Sequence, residues 1–501
     1  MSPIILNADE RQELEKRMAN RLGESALMER AGHAAAQLIM TRLHWEAGTS
    51  GAETAPALSV TVLAGPGNNG GDALACAAEL KAANVDVVVV LPGGRRPKSP
   101  LAQAQYARYE ALGGTFESDP YMARPASVVV DGLFGTGLNK PIAGEYLDAL
   151  LWFNERQAFK LALDVPSGLN EATGHWVGAF GCQAHATLTF LSAKAGLYMN
   201  EGAQASGEII VDDLGVSVPL TRLSLICEDD FSHVVQPLNK NLHKGSFGHC
   251  GIIAGSEGMI GAALLCARAA SDMGAGTVTL ECLAQDAPAV DMVYPQIMMS
   301  QRLDFDKIDV LAIGCGLGKG EKAKARVKDA LAFPKPLVID ADALNIIAED
   351  LKLQDDLLAR EAPTVITPHP GEAARLLRRS IAEVQVDRVA ACRELAVQTG
   401  AIVLLKGAGT VISLRSSRTW INPARDSSLA VAGSGDVLTG IIASLFAQKY
   451  DMTEAVLAGA YFHAHGVKKT ITRQPAHKIG RHAIKLLDSM RLRQDPGFKL
   501  R

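Results

Sequence analysis

The chain is predicted to be an α/β protein made of two domains, each a mostly parallel sheet between two helical layers. Three observations predict this. Short β-branched runs alternate with longer segments of helical periodicity, as parallel strands do with their crossover helices. Strand ends carry glycines and isolated acids, as expected where such sheets meet a ligand. The alternation breaks once, around residues 208–245, and restarts, which in 501 residues leaves room for two cores.

Taken in order, a first helix is expected from Asp9 to Arg42, where Leu27, Met28, Ala31, Ala35, Leu38 and Ile39 recur at helical spacing. The polar stretch Glu46 to Ala57 then reads as a surface loop. The strands of the first half are SVTVL, VDVVVVL, ASVVVDGLF, FKLALDV and HATLTFL, with EIIVDDL last. A boundary near residue 225 divides the chain into 1–224 and 225–501. The second series is CGIIAG, TVTLECL, VLAIGCG, PLVIDAD, PTVITPH, AIVLLKG and GTVISL, with helices such as Gly261 to Met273 and Val437 to Gln448 between them. The halves share a class without repeating one another, so a fusion is expected, not a duplication.

With a net charge of −4, the chain has no basic field to hold nucleic acid or an anionic membrane, and small molecules are the expected partners. The first thirty residues are charged throughout, unlike a secretory signal, and no apolar run reaches membrane-spanning length. The eight cysteines, without a CxxC pair, read as reduced buried thiols of a cytoplasmic protein. A homo-oligomer is expected.

Gly65, Gly67 and Gly70 form G-x-G-x-x-G between a strand and a helix, where a dinucleotide fingerprint would sit. The next strand, VDVVVVL, runs into Pro92-Gly93-Gly94-Arg95-Arg96 without the acid that would bind ribose hydroxyls. That weakens a hydride-transfer reading, although two arginines could meet a 2′-phosphate. More specific is Asn68-Asn69-Gly70-Gly71-Asp72, which gathers oxygen ligands and backbone N–H groups at one helix start, suited to a cation and a phosphate together. Asp131 and Asp164 end two further strands, and the three loops are predicted to converge, although each acid alone also reads as a cap or turn former.

In the second half, Gly433-Ser434-Gly435-Asp436 opens an apolar helix. Its unpaired N–H groups and dipole can stabilise a phosphoryl group in flight, and Asp436 is placed to take a proton from an attacking hydroxyl. The plainer reading is a helix start capped by aspartate. There is no G-x-x-x-x-G-K-[ST] phosphate loop. His463, His465, His477 and His482 lack a further ligand at zinc spacing and read as packing or tail residues.

GPGNNGGD, DGLFGTGL and DVPSGL, followed by TLTF and Lys194, resemble the YjeF N-terminal family of NAD(P)H-hydrate epimerases over about residues 10–220. LHKGSFG, DADALN, PHPGE, KGAGT and GSGD resemble the ribokinase-like, ADP-dependent NAD(P)H-hydrate dehydratases over about residues 235–490. The resemblance implies a Rossmann-like first domain and a ribokinase-like second one. For the first it implies nicotinamide-nucleotide contacts at Asn68, Asn69, Gly70, Gly71 and Asp72, and at Gly135, Thr136, Gly137, Leu138, Asn139, Lys140 and Pro141. It further implies Asp164 against the reacting ring, and K+ on Asn69, Asp131 and Ser167. For the second it implies hydrate contacts at Ala263, Gly318, His369 and Asp436, and adenine-nucleotide contacts at Lys406, Gly407, Ala408, Gly409, Thr410 and Gly435, with Mg2+ screening the phosphates.

The reaction so implied interconverts R and S hydrates, then dehydrates the S form with ADP, releasing AMP and phosphate. Departures from the family pattern are Ala73 where glycine is usual, expected to set a methyl against the ligand, and Asn422 to Ala432 in place of a glycine-rich run. Within that run Val431 and Ala432 remove polarity beside the nucleotide, and GRHAIKLLDSM matches the usual C-terminal segment poorly. The alternatives are a ribokinase-like small-molecule kinase whose product keeps its phosphate, and a first half that serves only as a nucleotide-binding sensor.

Overall fold

A computed structural model describes residues 3–49, 58–239, 241–425, 427–467 and 473–495. The described chain forms two compact units, one of Ile4–Thr221 and one of Arg222 onward, the latter also including Pro3. Each is an α/β unit with its own sheet.

The strands of the first unit are β1 (Ser59–Ala64), β2 (Asp86–Val90), β3 (Thr115–Glu117), β4 (Val128–Gly132), β5 (Phe159–Leu163), β6 (Ala186–Phe190) and β7 (Glu208–Asp212). All pair in parallel, in the order β3-β2-β1-β4-β5-β6-β7. Side chains alternate between the two faces, as the pleat requires. Val60, Val62, Val87 and Val89 pack with Leu14, Ala35, Leu74 and Tyr109 in one core, while Leu63, Val90 and Val129 pack on the other face with Leu150, Trp152 and Phe153 of the Glu145–Glu155 helix. The strand order reverses between β1 and β4, and the crevice beyond their carboxyl ends is where a ligand is expected in such sheets.

The leading helix is two helices. Ala8–Leu22 ends at Gly23, whose φ of 98° lies where glycine is favoured, and Ala26–Thr49 follows. Helix therefore covers part of the loop expected at Glu46 to Ala57, and the remainder of that loop lies outside the described residues.

The second unit has β8 (Leu223–Leu225), β9 (His249–Ala254), β10 (Thr277–Cys282), β11 (Met298–Ser300), β12 (Val310–Ile313), β13 (Leu337–Ile339), β14 (Thr364–Ile366), β15 (Ile402–Leu405), β16 (Val411–Ser413) and β17 (Thr419–Ile421). Their order is β11-β10-β9-β12-β13-β14-β15-β16-β17-β8. Pairing is parallel except that β16 runs antiparallel to both β15 and β17, which makes Lys406 to Thr410 the turn of a hairpin. One face buries Ile252, Val310 and Val338 against the Ile260–Asp272 and Ser434–Ala447 helices. The short strands β3, β8, β11 and β17 escaped the sequence reading. Each is three residues long at or near a sheet edge, where pairing, and not periodicity, makes the strand.

The turn after β1 depends on two close backbone approaches. A Cβ on Gly65 would lie 1.7 Å from the Leu133 carbonyl oxygen, and one on Gly70 would lie 2.0 Å from the Gly65 oxygen. Both neighbours are backbone and cannot swing aside. Gly65→Ala is therefore expected to lower the stability of the first unit by about 3 kcal/mol, at the upper end of overpacking costs. Gly67→Ala, with nothing within 4 Å of its new methyl, is the control. Thermal unfolding of the two variants side by side checks this.

Candidate active sites

In the first unit a cavity of about 790 Å³ opens at the crevice between β1 and β4. Asn68, Asn69 and Asp72 line it from the start of the Asn68–Ala82 helix, and Gly135 to Lys140 line it from the loop after β4. Asp164 and Lys194 complete this wall from the ends of β5 and β6. Gly70 and Gly71 are buried behind the helix start, and Pro141 lies on the exposed far end of its loop. The helix start has no side-chain cap, so its N–H groups face the cavity as an anion site would.

Asp131 and Ser167 sit beneath this wall, both fully buried. The Asp131 carboxylate accepts the Leu133 N–H (3.1 Å), the Ser167 N–H (2.8 Å) and the Ser167 hydroxyl (2.6 Å), and the Phe134 N–H donates to that hydroxyl oxygen (2.8 Å). Burial pushes Asp131 up against these bonds. Asn69 is buried too, and neither its amide oxygen nor its nitrogen has a hydrogen-bond partner. A Cβ on Gly135 would lie 3.5 Å from that oxygen, so the Asn69 side chain borders the loop that Ser167 braces. A buried charge and an unpartnered carbonyl oxygen in one place fit a monovalent cation.

Asp164 adopts φ +62°, an uncommon backbone for a residue with a side chain and one that concentrates at functional sites. Its carboxylate lies 2.6 Å from Nζ of Lys194, which is 2% exposed and also donates to the Phe190 carbonyl (2.7 Å). Burial, the largest single influence, would raise Asp164, but Lys194, Arg11 and a backbone bond at Phe190 together outweigh it and the group stays below its ordinary value. Asp72 moves oppositely: burial, then the charges of Asp164 and Glu15, lift it well above its ordinary value. In one cavity, then, burial and neighbouring charges shift two carboxyls in opposite directions, the kind of separation that acid–base work requires.

Sequence reasoning missed Arg11, Glu15 and Glu171. Arg11, from the first helix, pairs with Glu171 and lies 3.5 Å from Glu15, and all three line the cavity. The Arg11/Glu15 spacing along a helix was the one visible signal. Arg95 and Arg96 are engaged elsewhere. Arg95 bonds Glu145 (3.2 Å), and Arg96 stacks on Tyr106 at 4.7 Å, so neither lines the cavity as a 2′-phosphate contact. Ala73 is likewise corrected: it is fully buried with its methyl packed toward Gly132 of β4, not toward a ligand.

In the second unit the ends of β12, β13, β14 and β15 supply Cys315, Asp340, His369 and Lys406, and the Ser434–Ala447 helix points its start at them. Gly433 takes φ +86°, and that start has no side-chain cap. Asp340 is 1% exposed; one oxygen accepts from Lys406 Nζ (2.7 Å) and the other from the Thr439 hydroxyl (2.8 Å) of the same helix. A Cβ on Gly435 would lie 3.3 Å from Lys406 Nζ, so glycine keeps the helix start next to this ion pair. Asp436, in the first turn, is lifted to about 6 by burial and by the Asp340 charge. His463 lies 2.9 Å from the Ser434 carbonyl and 3.1 Å from its hydroxyl, and burial drops it to about 4, so it is a neutral brace of the turn.

His369 caps the Pro370–Leu377 helix, its Nδ1 accepting the Gly371 N–H (2.9 Å) while Glu372 returns a bond to the His369 N–H (2.8 Å). Burial raises Glu372 to about 7 despite Lys406 at 3.9 Å. Arg388, 2% exposed, holds the Lys406–Thr410 turn through the carbonyls of Leu405 and Lys406 (both 3.2 Å) and of Ala408. Gly407 and Ala408 are exposed on that turn, and Gly409 is buried. The Gly318 N–H donates to Asp342 (2.9 Å). Ala263 is fully buried in the Ile260–Asp272 helix, so its side chain does not face solvent. Val431 packs on the core and Ala432 is exposed.

Asp340, Glu372, Arg388 and Thr439 were not singled out from sequence, although DADALN and PHPGE contain the first two; His463 was read as a packing residue, and its place behind Ser434 agrees. Cys315, Asp340 and Asp436 bring three possible metal-ligand atoms within 4.8 Å. The set does not fit a protein-held Mg2+: a thiol is a poor ligand for that ion, and Lys406 and Thr439 already occupy Asp340.

Two family models match the chain: one described as YjeF-related protein N-terminus over residues 24–196, the other as NAD(P)H-hydrate dehydratase over residues 250–486. The bifunctional NAD(P)H-hydrate repair enzyme of Coxiella burnetii is 35% identical over 456 residues, covering 88% of this chain and 90% of its own. That of Escherichia coli K12 is 33% identical, covering 91% and 87%. A solved ADP/ATP-dependent NAD(P)H-hydrate dehydratase from Bacillus subtilis, co-crystallised with ATP and Mg2+, is 28% identical and covers 53% of this chain and 98% of its own, with a TM-score of 0.48.

Proposed function

From the premise that this chain belongs to the family of bifunctional NAD(P)H-hydrate repair enzymes, we propose that residues 1–224 carry the epimerase site and residues 225–501 the dehydratase site. The protein repairs hydrated NAD(P)H: it interconverts the R and S hydrates and dehydrates the S form.

The dehydratase reading rests above all on Asp436, raised to about 6 at an uncapped helix start beside the Lys406–Asp340 pair. The helix N–H groups receive the phosphates of ADP, and the Lys406–Thr410 turn and Gly435 border the nucleotide. Asp436 takes the proton of the C6 hydroxyl as that oxygen attacks the β-phosphorus, and AMP leaves. The C6 oxygen, now phosphorylated, departs as inorganic phosphate with the electron pair of its C–O bond. Loss of a ring proton then restores the dihydropyridine. Magnesium, where required, arrives with the nucleotide phosphates and is not held by a cage of side chains.

In the epimerase site, Asp164 and Asp72 flank the nicotinamide ring, the first, held below its ordinary value, suited to accept a proton, and the second, lifted above its own, suited to give one. The Lys194 ammonium fixes Asp164. Potassium on Asn69, Asp131 and Ser167 would balance the buried Asp131 charge and steady the Gly135–Pro141 loop. The free, mostly buried thiols support a reducing compartment, taken as the cytoplasm, and the working form is expected to be a homo-oligomer.

Supplying separated R and S hydrates with and without ADP tests the reading. The S hydrate with ADP should regain dihydropyridine absorbance and release AMP and phosphate in equal amounts, and the R hydrate should follow at the epimerisation rate. A stable phosphorylated alcohol would instead identify a kinase.

A further inference from the structure

The Cys315 sulfur and one carboxylate oxygen each of Asp340 and Asp436 lie within 4.8 Å of one another. Asp340 is committed to Lys406 and Thr439, so it offers Asp436 only a like charge. Cys315 is 1% exposed at the end of β12, with Cys266 of the Ile260–Asp272 helix behind it. We propose that Cys315 is a positioning residue of the dehydratase: its thiol donates a hydrogen bond to the Asp436 carboxylate and holds that carboxylate at the helix start, aimed at the hydrate hydroxyl. The inference rests on the reading of Asp436 as the base.

First, a hydrogen bond with the Cys266 thiol, then burial, push Cys315 well above the ordinary thiol range, so it keeps its proton; positioning Asp436 requires that proton to be given to its carboxylate while the Cys266 thiol donates to the Cys315 sulfur. Second, the carboxylate needs a donor. Asp340 and Asp342 repel it, and Lys406, the nearby cation, is held 2.7 Å from Asp340. Third, the other neighbours are already used. The Met452–His465 helix turns His463 to Ser434, the Ala476–Gln494 helix brings Ala476 to Gly433, and Glu372 and His369 face Lys406. The thiol thus opposes the rise that burial and Asp340 impose on Asp436.

Full-length Cys315→Ala and Cys315→Ser, with wild type and Asp436→Asn, are compared in kcat/KM for the S hydrate and ADP across pH. Losing the donor should move the acid limb of the Ala variant upward by about one unit, with about tenfold lower kcat/KM on the acid side. The Ser variant, which keeps an O–H donor, should bring the limb back. A uniform loss at every pH with the limb unmoved overturns the proposal while leaving the base reading intact; an active Asp436→Asn variant overturns that reading itself. If Cys315→Ala does not fold, the S–H stretch decides: it should move to higher frequency in Asp436→Asn relative to wild type, and an unmoved band overturns the proposal.

Discussion

Asp436→Asn lowers ADP-dependent recovery of dihydropyridine by about 10²–10⁴-fold, the range for loss of a general base, while R and S hydrates continue to interconvert. Asparagine keeps the shape of the carboxyl and its place in the first turn but cannot take the hydroxyl proton. In the wild type the base works in its charged form, so activity should fall as pH drops through about 6, and the residual activity of the variant should lack this limb. The same shift sets an opposite trend in stability. A carboxyl whose folded value lies above its ordinary 3.8 binds its proton more tightly in the native state, so ionisation costs stability over that interval and in full above about 6. The uncharged variant escapes that cost and should melt higher at neutral pH, by about 2 kcal/mol. Wild-type turnover in the variant, or an acid limb that survives it, removes Asp436 from the role of base.

Much of both sites was legible because strand ends announce themselves. Asp131, Asp164 and Asp436 each stand in a short glycine-rich string after or before an apolar run, and the structure places the first two at the β4 and β5 ends and the third at a helix start. The partners were not legible. Asp340 meets Lys406 across 66 residues and Thr439 across 99, and Arg11 meets Glu171 across 160. Such pairs are chosen by which strands lie side by side, and local periodicity carries no record of that order. Short edge strands failed for a related reason: β8 is a strand because β17 lies beside it, and β17 because it lies between β16 and β8. Ala73 shows the limit of reading a departure from sequence alone. Its methyl looked set against a ligand, yet helical geometry turns it onto Gly132, behind the residues that line the cavity.

Lys194→Met should disable the epimerase and destabilise its unit together. Methionine matches the length of the lysine stem but leaves the Asp164 carboxylate, 16% exposed, without the ammonium that stood 2.6 Å away. Breaking a buried pair from one side costs about 3 kcal/mol, because the remaining charge stays desolvated and uncompensated. In the wild type the pair holds Asp164 below its ordinary value, so it stabilises the fold above the usual carboxylate range and loses that contribution only as pH falls through the depressed value. Without Lys194, Arg11 and the Phe190 backbone bond are left to oppose burial, the largest influence, so the folded value should rise above the ordinary one and the sign reverse: the variant should be relatively more stable in mildly acidic buffer than at neutral pH. Without the ammonium the Asp164 carboxylate is no longer held in place beside the ring, so epimerisation should fall by about 10²-fold or more, with ADP-dependent turnover of the S hydrate retained. Adding Asp164→Asn to Lys194→Met removes the stranded charge and should restore the melting temperature without restoring epimerisation. Should Lys194→Met melt and epimerise as the wild type does, the ion pair is neither a structural tie nor part of the proton path.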